Sequence, residues 1–200
     1  MLAIVVGARS GCTNGQRPCW RCLAPITALL FASLRHTGTV LAKLPLAWAQ
    51  HLDSGISHRL GSSHADGQPE LCRGLAAQVL SDGRVEVLLA TAVGDTLLAA
   101  VRATGRIAYV AAQPGSNRTL HLKGRDAELF EVTAAYRPLF ERSLERFIAR
   151  VVPFGFTRET ILAAWYELDT PCLSGIRFTP FGAWDQTPGP GAGQPVDLLP

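Results

Sequence analysis

The residues of this chain best suited to holding an anion lie in one stretch, Gln113-Pro-Gly-Ser-Asn-Arg-Thr-Leu-His-Leu-Lys-Gly124, where a turn rich in Pro, Gly and Asn runs into a strand of mixed basic and apolar side chains. Such a strand packs with one face and offers donors from the other. Arg118 and Lys123 stand five apart, so in an undistorted strand they point to opposite faces. Both reach one phosphate only across a bulge or from different subunits. Lys123 is one of two lysines against seventeen arginines and sits among Leu120, Leu122 and Gly124; the alternative is an edge-strand lysine that snorkels to water. Gln113 adds an amide at the head of the turn. Arg73 follows a proline turn at the start of an apolar strand and offers a forked donor, the alternative being a surface or dimer ion pair.

Other chemistry is sparse. No nucleophile triad, helical His-Glu pair or glycine-rich nucleotide loop is present. His51 and His58 are isolated and read as core histidines, His64 beside Asp66-Gly67 as a hairpin residue, and Trp165 and Tyr166 as helix packing. Cys19-Trp-Arg-Cys22 has metal or redox spacing but supplies two of the four ligands a structural zinc needs, and Cys12 leaves the set incomplete. No metal is expected. Five cysteines, odd in number and dispersed, do not form a disulfide scaffold and indicate a reducing compartment. Any enzyme chemistry must come from a cofactor.

Two hundred residues, 48% of them hydrophobic, close one sizeable core. Residues 1 to 43 hold five Arg or Lys and no acid, leaving fourteen bases against sixteen acids for the remainder. A nearly neutral body argues against a nucleic-acid surface. The apolar run Leu23 to Leu34 is too short to span a bilayer. Residues 1–40 are therefore expected to be a non-core extension, 41–185 the folded domain and 186–200 a Gly/Pro-rich tail, in a cytoplasmic protein with no membrane or nucleic-acid partner.

Pro45 to Asp53 reads as a helix with Leu46, Ala49 and Leu52 on one stripe. Ile56 to Ser63, Leu71 to Leu80 and Arg84 to Leu89 read as strands of an antiparallel meander, joined by turns at Asp66-Gly67 and Asp82-Gly83. Asp95 to Ala103 is a short crossover helix ended by Gly105. Ile107 to Ala112 returns as a strand, and Arg118 to Val132 is long enough to bend, Gly124 marking a bulge or a close backbone approach. An amphipathic helix capped by Thr133 covers the barrel or a subunit contact, Thr157 caps a short helix through Trp165, and Cys172 to Phe178 adds a final strand. From Gln186 the tail reads as a loop held by a partner surface, or as disordered. The fold class is mainly β with flanking helices: a split β-barrel of six or more mostly antiparallel strands with one short crossover helix.

This order of elements, with Arg118-Thr-Leu-His-Leu-Lys-Gly124, Ala65-Asp-Gly-Gln-Pro69 followed by Arg73, Gly105-Arg-Ile-Ala108 and the terminal Asp185-Gln-Thr-Pro-Gly-Pro-Gly-Ala-Gly193, resembles the pyridoxamine 5′-phosphate oxidase-like FMN-binding split barrels, in an uncharacterised bacterial branch. The resemblance runs from about Leu44 to Gly193. It implies a homodimer with two FMN sites at the subunit interface, and an oxidoreductase of unassigned small-molecule substrate that transfers hydride through flavin N5. The positions it carries over are Arg73, Leu75 for backbone contact, and Thr91 before the crossover helix; Gln113, Arg118 and Lys123 are added for their local chemistry. Where flavin-binding members carry a Ser-Arg-Lys-like segment, this chain reads Thr91-Ala-Val-Gly-Asp95, so two positive donors are missing. The rival readings are a binding protein for another anionic ligand, such as a haem-related compound, and a purely structural dimeric scaffold.

Overall fold

A computed structural model describes residues 43–165 and 172–199; Cys12, Cys19, Cys22, Leu23 to Leu34 and Tyr166 lie outside them. Helix α1 (Leu46–Leu52) leads into strands β1 (Ser57–Ser63), β2 (Pro69–Gly74), β3 (Ala76–Val79) and β4 (Val85–Ala90). Helix α2 (Asp95–Thr104) crosses to β5 (Ile107–Ala112), β6 (Thr119–Gly124) and β7 (Glu128–Glu131). Helices α3 (Arg137–Val151) and α4 (Arg158–Trp165) precede β8 (Leu173–Phe178), β9 (Gly182–Asp185) and the two-residue β10 (Gln194–Pro195).

The strands form two sheets, β10-β9-β6-β5-β1-β2 and β3-β4-β8-β7, with antiparallel neighbours throughout. This is a split barrel, and the split explains two departures from the sequence reading. The strand expected over Leu71 to Leu80 is broken at Leu75, whose N–H turns to the Leu88 carbonyl at 2.7 Å, so β2 belongs to one sheet and β3 to the other. The long strand expected from Arg118 breaks over residues 125–127, again passing from sheet to sheet. Periodicity shows a side chain's face; it does not show which sheet the backbone joins.

Alternation supplies the core: inward Leu60, Tyr109, Ala111, Leu120, Leu122 and Ala183 of the six-stranded sheet meet Val85, Val87, Leu89, Ile176 and Phe178, with Leu97, Leu98 and Val101 of α2 closing the barrel. Gly124 is the close approach expected of it: a Cβ there would stand 2.6 Å from Phe178 Cδ2 and 2.8 Å from Ile107 Cγ2. A second core lies outside the four-stranded sheet, where Leu75, Ala76 and Leu88 pack beneath Leu139, Phe140, Leu144, Ile148, Ile161 and Trp165. Thus α3 and α4 armour that sheet. Thr133 makes no side-chain cap; a 3-10 turn, Ala134–Tyr136, intervenes before α3. The short α4 does begin as expected, the Thr160 N–H donating to Thr157 Oγ1 at 3.2 Å.

Cys172 to Phe178 is not the last strand. β9 pairs with β6 and β10 with β9, and beyond them Val196 and Leu198 pack on the barrel core. The loop between is held by its own chain: the Gln186 N–H donates to the Thr119 carbonyl at 2.8 Å and the Gly193 N–H to that of Asp185 at 2.7 Å. Lys43 and Leu199 then exchange backbone hydrogen bonds at 2.6 and 2.7 Å. No helix among the described residues is long and apolar enough to cross a membrane.

Candidate anion-binding groove

The outer face of the six-stranded sheet presents every second residue of its strands, and register aligns them in rows. One row runs Leu71, Gly61, Ala108, Lys123, Gly182 across five strands; the next runs Arg73, Arg59, Val110, His121, Trp184. Gly61 and Ala108 keep the middle of the first row shallow. There a groove of about 770 Å³ opens, lined among others by Gly61, Ala108, Leu71, Arg106, Lys123, Arg125 and Phe181. It is framed by the β1–β2 hairpin on one side and by the turn between β8 and β9 on the other, the latter pinned by the Phe181 N–H donating to the Lys123 carbonyl at 2.9 Å.

The cations of this groove are positioned without being neutralised. The Lys123 ammonium lies 5.2 Å from the Trp184 ring centroid and the Arg125 guanidinium 4.3 Å from that of Phe181, contacts that orient a cation without cancelling its charge. Arg106 is exposed and makes no ion pair among the described residues. Glu70 contributes to the lining, but β2 alternation turns its carboxylate to the inner side, where His64 Nε2 approaches at 3.3 Å and Thr96 Oγ1 donates at 2.7 Å. The groove is therefore electropositive and carries a hydrophobic wall in Phe181 and in Leu71, which is 83% exposed.

Of the six sequence-predicted residues, Lys123 lines this groove and the other five stand elsewhere. Leu75 is buried at the sheet corner, its N–H already committed. Thr91 gives its N–H to the Cys172 carbonyl at 2.8 Å and shares its hydroxyl hydrogen bond with Ser174 at 2.8 Å. Arg73 reaches the Ala164 carbonyl at the end of α4. Gln113 donates to Ser54 Oγ at 2.9 Å and accepts from Ser116 Oγ at 2.7 Å, while the Arg118 guanidinium lies 4.1 Å from the Trp48 ring centroid; together they fasten the β5–β6 turn to α1 and to the turn that follows it. Arg118 and Lys123 do not converge, because β6 is regular from Thr119 to Gly124 and about 16 Å of strand separates its ends.

Arg106 and Arg125 were missed, although a signal for Arg125 existed: it follows Lys123 by two and shares its face. His121 was also passed over. It sits at an outward position with its ring centroid 5.5 Å from that of Trp184, and burial, then the Lys123 charge, hold its imidazole below the ordinary histidine pKa. His51 and His58 do belong to the core, His51 Nε2 meeting the Ala111 carbonyl at 3.1 Å and His58 Nδ1 the Tyr109 hydroxyl at 2.7 Å. Among the described residues no cluster of three or more His, Cys, Asp or Glu is placed to hold a metal.

No family model matches the chain, and neither does any curated protein. It is similar in structure to Group A Streptococcus HupZ (14% identity, TM-score 0.47, 75% of this chain and 100% of that one) and to a conserved hypothetical protein of Mycobacterium tuberculosis (16%, TM-score 0.45, 76% and 89%). A pyridoxamine 5′-phosphate oxidase-related, FMN binding protein of Nostoc punctiforme also resembles it (13%, TM-score 0.41, 73% and 84%). At these values the likeness carries no functional weight.

Proposed function

We propose that this chain is a homodimeric split-barrel protein that holds FMN in the groove over β1, β5 and β6, and that it acts as an oxidoreductase on a small molecule. The observation that supports the reading is the cation set Arg106, Lys123 and Arg125, grouped beside a shallow floor of Gly61 and Ala108 and an aromatic wall, Phe181. The donor set suits a phosphate ester, since charge-assisted hydrogen bonds from arginine and lysine are the strong ones. The small floor suits a flat ring. Thr91 and Gly94 do not fit the phosphate, because the Thr91 N–H and hydroxyl and the Gly94 N–H are spent within the chain.

When bound, flavin supplies hydride chemistry at N5, and the protein supplies binding, orientation and electrostatics. Lys123, Arg106 and Arg125 would hold the phosphate, Phe181 and Leu71 would shield the ring from water, and a second copy over the open sheet face would complete the enclosure. Titration with FMN, followed by quenching of its fluorescence, tests this. Saturable binding is expected, with Lys123→Ala and Arg106→Ala each weakening it by about tenfold, the effect of losing one charge-assisted hydrogen bond. Absence of quenching in the wild type, or equal constants in all three proteins, would overturn the assignment.

One observation favours a second reading, a haem-related ligand on the same face. His121 keeps a neutral imidazole at an outward position beside Trp184, with a nitrogen lone pair to offer iron. Haemin would then give a shifted Soret band that His121→Ala abolishes. A band unmoved by that substitution would remove the reading.

A further inference from the structure

We propose that the free edge of β3 accepts an extended peptide of another protein, a short uncharged segment that joins the four-stranded sheet as a fifth strand beside α1. The site belongs to the other sheet and shares no residue with the anion groove.

β3 stands at one end of its sheet and pairs with β4 alone. The Leu80 N–H donates to the Arg84 carbonyl at 2.8 Å, and alternation along an antiparallel pair then aims Gln78 at Glu86 and turns the N–H and C=O of Ala77 and Val79 the other way. Among the described residues none of these four groups has a hydrogen-bond partner. Ala77 is 1% exposed, and a buried backbone group left unpaired costs about as much free energy as a lost hydrogen bond. The edge therefore calls for a backbone.

Proteins usually guard such edges. The strand at the opposite end of the sheet, β7, carries Glu128 and Glu131, charges that discourage pairing, whereas β3 reads Ala-Ala-Gln-Val, with neither charge nor proline. Helix α1 passes β3 without closing on it. A cleft of about 320 Å³ lies between them, lined among others by Leu46 and Ala49 of α1, Asp53 after it, Ala77 and Val79 of β3, and Arg142 of α3. A strand edge that faces a helix across a cleft can take up an extended chain, main-chain hydrogen bonds supplying affinity and alternate side chains specificity.

The walls define the guest. Residues directly opposite in an antiparallel pair share a face, so the two guest residues bonded to Ala77 and Val79 turn their side chains toward the barrel core, against which Ala77 and Val79 both pack. A cleft of this size admits small apolar ones. The guest residue between them faces the α3 side, where the Arg142 guanidinium is already matched by Asp53 at 3.1 Å, so no countercharge is called for. From Ala77 to Val79 the grip extends over about 7 Å of strand, which fits a small apolar, polar, small apolar sequence such as Val-Thr-Val.

Nitrogen-15 NMR of the full chain with the peptide Ac-Ser-Val-Thr-Val-Ser-NH2 tests this. Saturating peptide is expected to shift the Ala77 and Val79 amides and to slow their hydrogen exchange by at least about tenfold. Methylating the two valine nitrogens keeps the side chains and removes the donors, and is expected to weaken binding by at least about tenfold. Ala49→Trp, which fills the cleft from α1, is expected to abolish the shifts and leave the β4 and β8 amides where they are. An unmoved Val79 amide at the solubility limit of the peptide would overturn the proposal. So would equal affinity of the methylated peptide, since side chains alone would then be recognised. Nuclear Overhauser contacts from residues 1–42 to Val79 in the free chain would give the edge to the protein's own sequence, and peptide-free shifts that grow with protein concentration would give it to a second copy; either result overturns the partner.

Discussion

Arg177→Leu is expected to destabilise the fold by about 3–5 kcal/mol, because it strands a buried carboxylate. Glu86, on β4, is 1% exposed. Its Oε1 accepts from Arg177 Nε at 2.8 Å and Nη2 at 2.5 Å and from the Tyr136 hydroxyl at 3.0 Å, and its Oε2 accepts from Gln78 Nε2 at 2.7 Å. Register creates the cluster: Gln78, Glu86, Arg177 and Glu128 form one row on the outer face of the four-stranded sheet, and the 3-10 turn carrying Tyr136 covers it. Removing the cation leaves the anion with neutral donors only. The double variant Glu86→Leu/Arg177→Leu is expected to recover more than half of the loss, since apolar replacement of a whole buried pair is far milder than loss of one member. Urea unfolding of the three variants measures it; single and double variants of equal stability would show that the pair is not the cause.

Acid is expected to unfold the protein earlier than its carboxylates alone require. His58 is fully buried, and desolvation, then the charges of Arg59 and His51, drive its pKa from 6.5 down to about 3. Its Nδ1 lies within hydrogen-bond distance of the Tyr109 hydroxyl, 2.7 Å away, while burial also raises the tyrosine. The unfolded chain takes up this proton near pH 6.5 and the folded chain does not, so stability is complete above 6.5 and falls as pH drops toward about 3. Between pH 7 and pH 5 the loss from this one residue is about 2 kcal/mol, or about 4–8 °C in Tm. His51, also lowered by burial, adds to it with the same sign. Thermal melts at the two pH values check this, with His58→Leu/Tyr109→Phe expected to lose at least half of the slope. An unchanged slope in that variant would place the proton uptake elsewhere.

Much of the architecture was legible because alternation and turn chemistry are local. β5 was read to the residue from Ile107 to Ala112, and α2 nearly so, from an acid at one end and Gly105 in the left-handed conformation at the other (φ 64°). What local pattern does not carry is which backbone pairs with which. Gly74 stands just before the corner at Leu75, but a lone glycine in an apolar run does not say which sheet the chain joins next, and β9 is four residues long, too short to stand out between loops. The site was legible in chemistry rather than in place. Lys123 was picked for its surroundings and does line the groove, but Arg106 reaches it from the start of a neighbouring strand, and that meeting is set by the pairing of Ala108 with Lys123. Arg118 does not join them because β6 is regular and lacks the bulge that convergence within one chain requires.

The pairing of Lys43 with Leu199 has a practical outcome. Both ends of the folded body leave the barrel side by side, so a few glycines would join them without strain, and the sequence could be reopened at the exposed Ala65-Asp66-Gly67 bend instead. Such a rearranged chain would start and stop beside the candidate groove, whereas a label at Lys43 or Leu199 would sit where those two residues pair.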